Sequence, residues 1–198
     1  MAEQFADPTG LGGRIVCAVM NRQNRPLYEA TLGRLPADAV RVLDVGCGNG
    51  FVMGLLAQSR PSTVVGVDPS SQVIATAQRR YRGLVAEGRM EFAVGGADDT
   101  GQADGSLDAA YSVNTVYFWP DLAAGLAEIA RVLKPGAAFI NALYTPATLG
   151  RFSHTEHGYR KYEPPELVAA ARAAGFGAEA VPLLGGKAFC VRCVKPTA

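Results

Sequence analysis

Asp44 and the alternating glycines behind it, in Val45-Gly46-Cys47-Gly48-Asn49-Gly50, are the residues of this chain whose spacing best carries chemistry. A glycine has no Cβ, so backbone N–H and C=O groups can touch a ligand directly and a positive φ costs little. Phe51 to Gln58 are helix formers, and a helix there opens its unpaired N–H groups toward the same spot. The turn reads as a ligand cradle at the carboxyl end of a parallel strand, where open α/β sheets bind ligands. A dinucleotide fingerprint requires G-x-G-x-x-G. Gly46 and Gly48 fit it, but its third glycine is replaced by Phe51 and the extra glycine is Gly50. Asp44, two residues before the first glycine, repels a pyrophosphate and attracts an ammonium group. The pattern favours a zwitterionic, cationic ligand. Asp68 ends the run Val64-Val65-Gly66-Val67, twenty residues after Gly48. At the tip of the neighbouring strand its carboxylate can accept both hydroxyls of a ribose.

Four runs taken together, LDVGCGNG, VVGVDPS, SLDAAYS and RVLKPG, resemble the class I S-adenosylmethionine (SAM)-dependent methyltransferases, over about residues 38–194. The stretch PTGLGGRIVCAVMNRQNRPLYEA is similar to the N-terminus of small bacterial single-domain members. The resemblance implies a Rossmann-like three-layer α/β/α sandwich, with a seven-stranded, mostly parallel sheet and an antiparallel C-terminal strand. It implies SAM as cofactor. It puts the amino acid end of SAM on Gly46, Cys47, Gly48 and Gly50, with Asp44 near the ammonium. Asp68 falls to the ribose hydroxyls, with Pro69 beside it. The alternative for Asp68 is capping of the next helix, which Ser70 or Ser71 could do instead. For adenine the family uses an acid just after strand three and the backbone N–H of the next residue. That acid position falls on Gly96, a departure. Either Asp98 takes over by a loop shift or backbone and water meet the amine, while the Ala97 backbone still serves.

The segment Ser112–Pro120 follows strand four and, by the same resemblance, passes beside the transferable methyl, with Asn114 and Thr115 on the cofactor. An aromatic face near a sulfonium is worth roughly 0.5–2 kcal/mol. Tyr117 adds a hydroxyl able to hold or deprotonate a substrate, whereas Phe118 and Trp119 read rather as cover for the following helix. The two histidines, His154 and His157, lie in a stretch without clear period, Tyr144 to Glu163. Histidine is the cheapest general base near neutral pH, although exposed loop histidines are often idle. Tyr117, His154 and His157 are the candidate catalytic residues. The expected reaction is in-line displacement at the sulfonium methyl by an O, N, S or C nucleophile of a small-molecule acceptor. The alternatives are a SAM-binding protein without catalysis and an RNA methyltransferase. An NAD-dependent oxidoreductase is opposed by Phe51 and Asp44.

The chain has 198 residues, 48% apolar and 19% charged, with net charge +1. That fits one soluble globular domain with a sizeable core. The charge balance opposes a nucleic-acid surface, and Arg79, Arg80 and Arg82 read as a solvated helix face. The N-terminus lacks the pattern of a secretion signal and no run reaches membrane-spanning length, so the expected location is the cytoplasm. Cys190 and Cys193 form C-x-x-C, but in a strand residues i and i+3 point to opposite faces, so no metal site is expected.

The elements that must position these residues follow from periodicity. Residues 1–13 read as loop and 14–34 as one or two helices interrupted near Pro26. Strands are expected at 41–45, 63–67, 89–94, 107–112, 136–142, 178–184 and 187–194. Helices are expected at 50–58, 70–83, 121–133 and 164–174, with Gly185-Gly186 as a hairpin signal. The division is an N-terminal helical cap, 1–36, and a catalytic domain, 37–198. Residues 1–34 and 144–163 are expected to act as a lid.

Overall fold

The computed structural model describes residues 10–152, 155–156 and 158–197, with side chains from residue 20 onward. Seven strands form one sheet: β1 Arg41–Val45, β2 Thr63–Asp68, β3 Met90–Val94, β4 Leu107–Val113, β5 Leu133–Tyr144, β6 Gly177–Leu183 and β7 Ala188–Val194. Their order is β3-β2-β1-β4-β5-β7-β6. β1 to β5 pair in parallel, and β7 runs antiparallel to both β5 and β6. The last strand therefore slots in beside its predecessor, an order that a plain dinucleotide-binding sheet lacks.

Helices cover both faces: α1 Gly10–Leu32, α2 Phe51–Ser59, α3 Ser71–Arg80, α4 Arg82–Ala86, α5 Leu122–Val132, α6 Pro146–Leu149 and α7 Pro164–Ala173. Strand residues alternate between two cores. Val42, Val64, Ala109, Tyr111 and Ile140 pack with Leu27 of α1 and with Met53 and Leu56 of α2. Leu43, Val65, Ala110 and Phe139 pack with Ile129 of α5 and Leu167 of α7. Cys190 belongs to the first core and Cys193 to the second, so the C-x-x-C pair is split across the sheet.

Most boundaries fall where periodicity places them, and the departures have local causes. The helix begins at Gly10, inside the stretch read as loop, and continues through Pro26. Glycine's poor propensity is a weak prior once a helix is nucleated from the apolar run beyond it. An interior proline costs ~3 kcal/mol. Leu27 and Tyr28 just after it are buried, and burial of each such side chain returns ~1.5–3 kcal/mol. The helix expected over 70–83 breaks at Tyr81, whose φ of −107° ends α3. Its ring stacks on Phe92 at 6.4 Å and covers Gly50 and Gly54, where a Cβ would lie within 3.0 Å of it. β5 starts early, because Leu133 pairs with Leu107 before a break in register to Ala138. Within 144–163, Thr145 caps the short helix α6 by accepting from the N–H of Thr148.

Gly66, at mid-strand in β2, lets α2 and the turn settle on the sheet. A Cβ there would lie 2.4 Å from Sδ of Met53 and 2.8 Å from Sγ of Cys47. Gly66→Ala should therefore cost about 1–3 kcal/mol by overpacking, read as a lowered midpoint in urea unfolding at unchanged slope.

Candidate active site

Gly46, Gly48 and Gly50 all have positive φ, at 79°, 50° and 73°. That is why every second residue of this turn is glycine. The turn is pinned to the tip of β2. Gly46 N and Cys47 N both donate to Val67 O at 2.9 Å, and Gly48 N donates to Asp68 Oδ2 at 3.0 Å. Asp68 Oδ1 accepts from Ser70 N at 3.0 Å, and Ser70 is the N-cap of α3, its Oγ accepting from Val73 N. Asp68 thus bridges the two strand tips and leaves the capping to Ser70. Pro69 beside it is exposed. At the head of α2, Asn49 Oδ1 accepts from Phe51 N.

The glycines differ in what surrounds them. A Cβ at Gly46 would strike Thr115 Cγ2 at 2.6 Å, whereas one at Gly48 would meet nothing within 4 Å. Gly46 is needed for close packing against the chain behind it, and Gly48 faces open space. Cys47 is buried and its Sγ packs inward near Gly66.

Asp44 lies directly below the turn and is 3% exposed. Its Oδ2 is buried and has no hydrogen-bond partner among the described residues. Burial raises its pKa to about 7; the nearby Tyr111 hydroxyl opposes the rise and the negative charge of Asp68 adds to it. An ionised carboxylate in such a place lacks a cation.

After β3 the chain runs through Gly95, Gly96, Ala97 and Asp98. Gly95 N donates to Asp68 O. Ala97 is buried and Asp98 exposed. A Cβ at Gly96 would lie 2.5 Å from Asp98 Oδ1, so the Asp98 carboxylate stands where a side chain from position 96 would begin. The loop is anchored at Thr100, whose N–H and hydroxyl both donate to Glu128 Oε1. Arg131 and these donors hold Glu128 down at about 2.

After β4, Asn114 adopts φ 59° and donates its N–H to Ala142 O. Thr115 is committed to the fold: its hydroxyl donates to Val45 O at 3.0 Å, lies 2.5 Å from Ser112 Oγ and accepts from Trp119 Nε1. Tyr117 is 3% exposed. Its hydroxyl accepts from Tyr144 N at 2.9 Å and points to Asn114 Oδ1 and Tyr144 O, each at 3.3 Å. Burial raises its pKa well above the usual phenol value. Its hydroxyl anchors the end of β5. Trp119 is buried beside Gly125 of α5, as cover for that helix. Phe118 departs from that reading: it is 48% exposed and meets Tyr159 edge-on at 4.7 Å. His154 and His157 lie outside the described residues. Sequence reasoning missed Tyr111 and Glu128, whose signals appear only when register and loop contacts are known.

Residues 43–141, half of the chain, match the family described as a methyltransferase domain. The chain belongs to the methyltransferase domain family. This methyltransferase-domain chain is 37% identical over 129 residues to a fatty-acid O-methyltransferase of Mycolicibacterium smegmatis, covering 65% of the chain and 44% of that relative. It is 32% identical over 117 residues to 24-methylenesterol C-methyltransferase 2 of Oryza sativa, covering 59% of the chain and 32% of that protein. The chain thus spans less than half the length of these relatives. In fold it resembles the putative methyltransferase solved with the Trm112 activator of Haloferax volcanii, at TM-score 0.82, 23% identity, and coverage of 98% and 97%. It also resembles a geranyl diphosphate methyltransferase solved with SAM, at TM-score 0.74, 18% identity, and coverage of 97% and 93%.

Because the folded state keeps Asp44 protonated to higher pH than the unfolded chain does, the empty protein loses stability as pH rises from about 4 through 7. Asp44→Asn should remove that loss, on the order of a few kcal/mol. Thermal unfolding of the ligand-free protein should show the variant more stable than the parent at pH 8 and level with it near pH 4.

Proposed function

We propose that this chain binds SAM in the glycine cradle and transfers its methyl group to a small, apolar acceptor. The observation that carries the reading is the unpartnered, buried Oδ2 of Asp44 beneath a turn whose Gly48 faces open space. The donor set suits the cofactor: a carboxylate for the ammonium, turn amides and the α2 N-terminus for the carboxylate, and Asp68 for the ribose hydroxyls. For adenine, Ala97 supplies its backbone, and Asp98 stands in for the side chain that Gly96 lacks. When bound, the cofactor supplies an electrophilic sulfonium methyl, displaced in line by the acceptor's nucleophile.

The chain's own work is to orient the acceptor and exclude water, which supplies much of the rate. Phe118 and Tyr159, in edge contact beside the buried Tyr117, offer the acceptor an aromatic wall. The fatty-acid and sterol methyltransferases among the relatives favour an apolar acceptor. Of the N-terminal cap, residues 1–36, the first nine lie outside the described residues; in this reading α1 caps the cradle, and its Tyr28 ring lies 5.9 Å from Phe51, at the head of α2. Among the described residues of 144–163, Tyr159 supplies the other wall.

Incubating the protein with methyl-labelled SAM and a metabolite extract should give a labelled apolar product by mass spectrometry; a labelled RNA or no labelled product would reject the reading. Gly48→Val should abolish calorimetric binding of S-adenosylhomocysteine, the demethylated cofactor. Gly88→Val is a strain-matched control, since Gly88 also has positive φ and open space, and it should retain binding. Asp68→Ala should weaken binding by roughly 1.5–3 kcal/mol, the worth of charged hydrogen bonds to hydroxyls.

A further inference from the structure

Tyr111 has no part in the reaction as described, yet it sits beside the one carboxylate the cofactor most needs. It pairs in register with Asp44, as the facing residue of β4 against β1. Both side chains point to the face covered by α1 and α2, and Tyr111 is fully buried among Leu27, Met53 and Ile140. A phenylalanine would fill that space with no polar atom to satisfy. Instead the core holds a hydroxyl that, like Oδ2 of Asp44, makes no full hydrogen bond among the described residues, yet lies close enough to the carboxylate to favour its ionised form. A buried polar group kept without full pairing is costly, which calls for a role in a second state of the site.

We propose that Tyr111 is the positioning residue for Asp44, its hydroxyl donating to the carboxylate so that the carboxylate stays ionised and directed at the cofactor's ammonium group. The proposal rests on the SAM reading of the cradle. The charged and titratable groups around the pair are few. Asp68 at the tip of β2 disfavours a charge on Asp44, while on Tyr111 the Cys47 side chain in the turn disfavours ionisation and Arg60 at the end of α2 acts as a cation. Around Asp44 itself, then, burial and Asp68 oppose ionisation and Tyr111 favours it. A carboxyl whose pKa burial raises to about 7 must give up its proton to meet an ammonium group, so affinity should rise as pH approaches 7. Losing the hydroxyl shifts this dependence upward.

The test is Tyr111→Phe, which keeps the ring and removes only the hydroxyl. Carboxyl carbon NMR of the ligand-free proteins follows Asp44 directly, and titration calorimetry follows S-adenosylhomocysteine binding from pH 5.5 to 8. If the hydroxyl lowers the Asp44 midpoint by about one pH unit, its loss should weaken binding roughly tenfold at pH 6.5 and only about twofold at pH 8. In an Asp44→Asn background the same substitution should change nothing further. In the unmutated protein the Tyr111 ring signals should titrate with the Asp44 midpoint, a measurement that does not depend on any variant folding. An unmoved Asp44 midpoint, a loss of affinity equal at all pH values, or Tyr111 signals blind to Asp44 would overturn the assignment while leaving the cofactor reading intact. Absence of S-adenosylhomocysteine binding by the unmutated protein at every pH would remove both.

Discussion

The carboxyl edge of this sheet is organised by three backbone donors reaching across from the glycine turn to the tip of β2. Gly46 and Cys47 share the carbonyl of Val67, and Gly48 takes the Asp68 carboxylate. These bonds fix the height of the turn above Asp44 and set the direction in which α2 leaves. They also hold Asp68 in place while its other oxygen accepts from Ser70. The price is backbone that only glycine adopts cheaply, three times in five residues.

Around that clamp, polar groups fall into two kinds. Thr115, Tyr117 and Glu128 find several partners each within the fold, and they hold the loops after β3 and β4. Asp44 and Tyr111 keep buried atoms without partners among the described residues. Satisfied groups make the edge rigid, and unsatisfied ones mark where the protein expects company. The distinction is chemical rather than positional, since both kinds lie within a few residues of one another along β4 and its following loop.

Much of the fold was legible from the chain. Alternation of apolar runs with helix formers placed the seven strands within a few residues, because strands buried on both faces read as continuous apolar segments. The cradle was legible because glycine at every second position has few other uses. Other features were hidden. Pro26 and the glycines near residue 10 argued locally against a helix, which burial of Leu27 and Tyr28 favours. Tyr81 ends α3 for the sake of contacts with Gly50 and Gly54, which no local pattern shows. The hydroxyl of Tyr117 is visible in the sequence, but its partners on Tyr144 are not. Asp98 could be proposed but not placed until the loop showed it over Gly96.

The order of the last two strands bears on how the chain comes off the ribosome. β5 and β6 run the same way but do not touch, because β7 lies between them. Until about residue 194 has emerged, β5 has an open edge and β6 has no strand partner. Unpaired strand edges of this kind invite contact with other chains. Five strands can assemble before β7 is made, but the sheet closes only once β7 is in place. The interval between the two is when a nascent chain of this shape would most need a chaperone.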